Sequence, residues 1–291
     1  MKKTHLNDEN APSKDDSAPA PAMNKRRIWI YRLLTIFVIP ALILGLLELT
    51  LLVSGYGYPT SYFVKSRIND QDFLIPNYKF SYRFFPPAMA RVPALSRIPA
   101  QKPMGVYRIF VFGESAALGD PDPNYGVSRY LEVLLEQRYP NTEFEVICVA
   151  LTAINSHALL PAARECARLD GDLWLIYMGN NEMVGPFGAG TIFGARAPGL
   201  GFVRTSLALK STRLGQLMAS LTSKIGPNSR APDQWEGINM FKKNLLRSDD
   251  PKRLRACENF EGNLKDIVKA GRQAGVPIIV STVGSNLKDC S

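Results

Sequence analysis

Apolar and polar positions divide this chain into distinct stretches. From Ile28 to about Val53 the sequence is apolar apart from Arg32, Glu48 and a few small or weakly polar residues. A helix of that length rises on the order of 40 Å, enough to cross a ~30 Å hydrocarbon layer with tilt. A core helix would carry a polar face, which Leu33 to Leu47 lacks, and a cleaved signal peptide would be shorter and begin earlier. A single transmembrane helix is therefore expected over 28–54. Lys25, Arg26 and Arg27 precede it, which by the positive-inside bias keeps the N-terminus in the cytoplasm and sends the remainder across. Arg32 can snorkel to the near interface and Glu48 lies near the far one. Tyr56, Tyr58, Tyr62 and Phe63 read as an interfacial aromatic belt. Residues 1–27 are polar and lack apolar periodicity, as expected of a disordered cytoplasmic tail.

Residues 55–105 read as a linker, irregular and rich in Pro and aromatics (Phe84, Phe85, Pro86, Pro87, Pro93, Pro99, Pro103), that partly packs on the domain C-terminal to it. From Tyr107 the pattern changes. Tyr107 to Phe112, Phe144 to Ala150, Leu173 to Met178 and Pro277 to Val283 are short apolar runs, the first broken only by Arg108. Between them come helical periodicities: Val127, Tyr130, Leu131, Leu134 and Leu135 recur at i, i+3, i+4, i+7 and i+8, and further helices are predicted after Ser156 through Leu169 and over Glu258 to Ala274. Pro161 leaves the start of the second helix uncertain. Strands buried on both faces and separated by helices predict an α/β domain over 106–291, built on a parallel sheet with helices on each side. In such sheets ligands bind beyond the carboxyl ends of the strands.

Composition sharpens this only in places. The 291 residues are 46% apolar and 21% charged, a globular balance, and 35 basic against 26 acidic residues leave a charge of +9. Much of the surplus lies between Arg204 and Arg255, where eleven basic residues (Arg204, Lys210, Arg213, Lys224, Arg230, Lys242, Lys243, Arg247, Lys252, Arg253, Arg255) face Asp233, Glu236, Asp249 and Asp250. That stretch has no aromatic ladder, zinc-finger spacing or basic zipper, so a nucleic-acid partner is not expected. It reads as a solvated basic face or as a contact for anionic lipid or polysaccharide, and Trp235, Pro227 and Pro232 suggest a lid or loop excursion. Cys148, Cys166, Cys257 and Cys290 contain no C-x-x-C pair, so neither a metal nor another cofactor is expected. The two histidines are His5, in the tail, and His157.

The loops after the first three strands of the domain carry the chemistry. Gly113-Glu114-Ser115 places a serine on a tight turn after a buried strand, where a nucleophile would be presented; the same small residues would also serve a phosphate cradle or a plain turn. Gly179-Asn180-Asn181-Glu182 offers an asparagine amide that could donate to an oxyanion, or simply an Asn-rich turn. Leu151 to His157 supplies small residues whose amides could point to the same place.

In this order and spacing the three loops resemble the SGNH (GDSL-like) hydrolase family, from about Tyr107 to Ser291. The resemblance implies a three-layer α/β/α flavodoxin-like fold preceded by one transmembrane helix. It implies Ser115 as nucleophile, and an oxyanion hole formed by the Ser115 N–H, the Ala153 N–H and the Asn181 side chain. Glu114, Gly179, His157 and Glu182 are expected to line or support the site. Glu114 stands where the family most often has aspartate. Ala153 stands where it usually has glycine, and the donor survives unless the turn needs positive φ. The segments GDPDPNYGVSRYLEVLLEQRYP, AINSHALLPAARECA and YMGNNEMVGPFGAGTIF resemble membrane-anchored bacterial members that often carry tetratricopeptide repeats, none of which occur here. This implies a serine esterase on the periplasmic side of a bacterial inner membrane, acting on acylated lipid or polysaccharide.

One family block is missing. The Asp-x-x-His that supplies the general base occurs nowhere, and the chain stops at Ser291, shortly after Asn286 to Asp289. A truncated sequence is the expectation, with a poorly reactive Ser115. His157 is the remaining candidate base, though a loop-supporting or helix-start role suits it better. The rival readings are a non-catalytic binding or scaffold protein that keeps the cleft, and a phosphate or nucleotide binder. Glu114, Asp120 and Asp122 would repel the latter's ligand.

Overall fold

A computed structural model describes residues 24–225 and 235–284, in two separate units that divide after Leu49. The tail up to residue 23 with His5, Pro227, Arg230, Pro232 and Asp233 of the basic stretch, and 285–291 with Cys290, lie outside the described residues. The first unit is dominated by α1 (Lys25–Val53), which takes in the basic cluster as its first turn. With 29 residues it is long and apolar enough to cross a membrane.

In the second unit the expected linker is structured. β1 (Phe63–Ile68), β2 (Gln71–Pro76) and β3 (Ile98–Pro99) form an antiparallel sheet. Tyr62, Phe63, Phe80, Phe84 and Phe85 enter the main core cluster, with Tyr62 and Phe80 wholly buried. Tyr62 and Phe63 therefore depart from the expected aromatic belt. Burying such rings outweighs ordering the chain, because each removes on the order of 150–250 Å² from water. Tyr58 packs edge-on against Tyr82, and the Tyr56 hydroxyl lies 3.1 Å from Ser220 Oγ.

Next along the chain come the parallel strands: β4 (Val106–Gly113), β5 (Glu143–Ala150), β6 (Leu173–Tyr177) and β7 (Ile278–Val280), in the spatial order β5-β4-β6-β7. Numbered by their own sequence, this is 2-1-3-4, the flavodoxin-like order. Between β4 and β5 lie the short α2 (Ser115–Leu118) and α3 (Val127–Arg138); α4 (Ser156–Cys166) joins β5 to β6. Right-handed crossovers put α3 on one face and the helices of the return path on the other, completing three layers. The predicted apolar face of α3 is only half used: Leu131 and Leu135 turn inward with Ser128, while Tyr130 and Leu134 stay 57% and 61% exposed.

Arg108, the one charge in β4, is fully buried. Its Nε donates to Glu145 at 2.5 Å, and its other nitrogens donate to the carbonyls of Leu169 and Pro99. It thus ties β4 to its neighbour, to the antiparallel sheet and to the turn before β6.

The basic stretch, expected to be a lid or loop excursion, is mostly helical where it is described. It contains α5 (Leu200–Ser211) and α6 (Arg213–Ile225), then a 3-10 segment at Gly237–Asn244 and the first turns of α7 (Pro251–Gln273). α7 begins seven residues before the predicted start because the Asp250 carboxylate caps it, accepting the Lys252 N–H at 2.8 Å ahead of Pro251. It packs along α4.

Candidate functional site

Register brings the three chemical loops together. Gly113 at the end of β4 pairs with Ala150 of β5 on one side and with Tyr177 of β6 on the other, so all three strands end level. The connections leave β4 in opposite directions, and the crevice between β4 and β6 is the switch point where this topology opens a ligand site. Only glycine fits at 113: a Cβ there would stand 2.5 Å from the Tyr177 carbonyl oxygen and collide with the Ala117 methyl. Ser115, two residues on, starts α2 and is partly exposed.

Glu114 holds the third loop against the first. Its side chain has no exposed surface, and its carboxyl group accepts N–H bonds from Gly179 at 3.2 Å and Asn181 at 2.9 Å. Ser115 and Asn181 therefore share one rim. The Asn181 Nδ2 group is buried and has no hydrogen-bond partner among the described residues. Native interiors seldom leave an amide donor unpaired, because it loses its water without compensation.

The second loop is fastened to the third by separate bonds. Glu182 accepts the Ser156 N–H at 2.7 Å and its hydroxyl at 2.9 Å, while Asn155 Nδ2 donates to the Pro186 carbonyl. Ala153 adopts φ 64°, the left-handed conformation in which L side chains are strained. The turn therefore does require positive φ, which glycine would adopt more easily; alanine nevertheless adopts it here, and its N–H is retained at the cost of strain.

Burial, and then the neighbouring Glu182 carboxylate, push the Glu114 carboxyl up to about 8; burial pushes Glu182 up to about 7. Two carboxyls packed this way cannot both ionise without cost, so the cluster retains proton at neutral pH.

His157, the second residue of α4, is buried, with Nδ1 2.9 Å from Asn263 Nδ2 of α7 and its ring edge-on to Phe187. Burial first, and Arg204 second, hold the imidazole down at about 4. Since Asn263 Nδ2 can only donate, His157 Nδ1 accepts, and the ring is neutral and committed to the α4–α7 packing. Sequence reasoning missed Asn263, which also donates to Ser156 Oγ, and Asn259, which donates to the Pro198 carbonyl. Their signal was the i, i+4 spacing of two amides on a helix, both almost wholly buried here.

No protein-family model and no curated protein matches this chain. Among solved structures it is similar to AlinE4, described as a SGNH-hydrolase family esterase (16% identity, 60% of this chain, 75% of that chain, TM-score 0.26). It is also similar to a lipase/acylhydrolase from Enterococcus faecalis (14% identity, 60% and 75% coverage, TM-score 0.28).

Proposed function

We propose that this chain carries a serine esterase site of SGNH type, held at a membrane by α1, with the domain on the periplasmic side of a bacterial inner membrane. The observation that carries the reading is the buried Asn181 side-chain amide, unpaired among the described residues, on a loop held by Glu114, the residue next to Ser115. In this reading Ser115 Oγ attacks the carbonyl carbon of an acyl ester on lipid or polysaccharide. The oxyanion that develops takes hydrogen bonds from the Asn181 amide and from the Ser115 and Ala153 N–H groups. Collapse expels the alcohol, and water releases the acyl group from Ser115. Glu114, Glu182, Gly179 and Asn155 act as positioning residues that fix the three loops.

The hydroxyl proton needs an acceptor, and His157 is not available for that work, since its Nδ1 is bonded and its ring buried. With His157 so committed, serine is a weak nucleophile unless another group takes its proton, and turnover then rests on the oxyanion hole and binding, roughly 10³–10⁴ over water. That same observation favours a second reading, a non-catalytic protein that binds acyl esters in the cleft.

Hydrolysis of p-nitrophenyl acetate by this chain separates the two. The first reading expects Ser115→Ala to abolish the rate above background. Equal rates in the parent and Ser115→Ala proteins would remove Ser115 from the mechanism. Saturable binding of the ester with no Ser115-dependent release of nitrophenol would establish the second reading.

A further inference from the structure

Away from the Ser115 loops, a cavity of about 390 Å³ opens between the Pro- and aromatic-rich stretch and the α5–α6 pair. Its walls are largely aromatic and apolar, including Tyr58, Phe84, Phe85 and Phe193, and two cations, Arg83 and Lys210, sit among them. Volume and lining are those of a small-molecule site: mostly apolar, with a few placed polar groups.

Arg83 is the unusual member. It is only 6% exposed and lies over the rings of Phe80 and Phe84, each 5.3 Å from the guanidinium carbon. Its Nη1 donates to Ser211 Oγ at 3.0 Å, but Nε and Nη2 have no acceptor among the described residues. Those two N–H groups form the side-on fork of a guanidinium, parallel donors spaced for two oxygens of one carboxylate or phosphate. No carboxylate lies within ion-pair distance of Arg83 among the described residues; Glu165, which accepts the N–H groups of Tyr62 and Phe63, attracts the guanidinium from farther off and leaves its fork unfilled. Lys210 is largely buried and donates to the Arg83 carbonyl at 3.2 Å. A buried guanidinium with an unpaired fork is costly unless an anion completes it.

We infer that this cavity binds an amphiphilic oxyanion, its phosphate or carboxylate head on the Arg83 fork beside Lys210 and its apolar body against Tyr58, Phe84, Phe85 and Phe193. The site shares none of its lining residues with the proposed esterase loops, and it stands or falls independently of that reading.

The test titrates hexyl phosphate into the full chain in a non-ionic detergent, by calorimetry and thermal unfolding. Saturable binding is expected, with inorganic phosphate and hexanol, each lacking one half of the ligand, at least tenfold weaker. Arg83→Met should weaken binding tenfold or more with little change in melting temperature, because removing the two unpaired donors offsets the lost Ser211 bond and methionine keeps apolar contact with Phe80 and Phe84. Ala219→Trp, at the cavity wall, should block binding with both cations in place. Equal binding by the parent and Arg83→Met proteins, or by the parent and Ala219→Trp proteins, would overturn the inference. So would inorganic phosphate binding as tightly as hexyl phosphate. Hexanoate in place of hexyl phosphate distinguishes the head group. Competition in nanodiscs distinguishes the source: phosphatidate displaces the probe if the occupant is a lipid, and leaves it bound if the occupant is a soluble amphiphile, and both results uphold the site.

Discussion

Individual residues carry most of the chemistry. Ala153 bears a conformational cost that glycine would avoid, so Ala153→Gly should raise stability by about 1 kcal/mol, lifting the melting temperature by roughly 2–4 °C, with any Ser115-dependent rate unchanged. A lowered melting temperature would mean that the left-handed turn is not strained. Asn181→Ala should behave oppositely: stability about equal, since the lost amide group had no partner among the described residues, and a Ser115-dependent rate reduced about 10²–10³-fold. Kinetics and thermal unfolding on the same preparation decide this. The serine, the amide and the alanine were all legible as residue types after strands. The strain was not, because a φ angle depends on how the loop must close between two fixed ends.

Among elements, Arg108 ties neighbouring strands together. The side chain interrupts an otherwise apolar run and is kept buried by Glu145 and two carbonyls. Glu145→Ala should cost about 3–5 kcal/mol, because it strands a buried charge rather than deleting a surface pair; urea unfolding measures it, and a loss under 1 kcal/mol would show the guanidinium to be resolvated. Helix ends follow local rules more closely. Asp250-Pro251 is a capping signature readable from sequence, yet apolar periodicity begins only farther along, so the predicted helix starts late.

At the scale of the whole molecule, protons and the membrane provide the readouts. Glu114 and Glu182 titrate in the folded protein at about 8 and about 7 but near 4.5 when unfolded, so the native state holds protons that unfolding releases. Their contribution is complete below pH ~4.5 and disappears as pH rises through 7 to 8. His157, held at about 4, acts in the other direction but only below its unfolded value near 6.5. Urea unfolding should therefore show stability falling from pH 6.5 to 8, and Glu182→Gln should flatten that slope. Stability that rises over this interval would contradict the buried pair. For α1, the expectation is that the full chain stays with membranes through a high-salt wash while a chain beginning at Thr50 is released; release of both would rule out a spanning helix.

What the amino-acid order determined alone was everything with a period or a local cap: the long apolar helix, the four parallel strands, the crossing helices and the small-residue turns behind the first three strands; the burial expected of β7 is not found, since Ile279 and Val280 are each 51% exposed. These depend on near neighbours, and near neighbours are written along the chain. Tertiary structure alone decided four other things. It turned the Pro- and aromatic-rich stretch into a sheet by giving its rings a core to enter. It withdrew His157 from the cleft by burying it against α7. It also brought Glu114 under the Asn181 loop and left the Arg83 fork without an acceptor among the described residues. Each of these depends on which distant groups meet in a space without water, and that is settled only when the layers close.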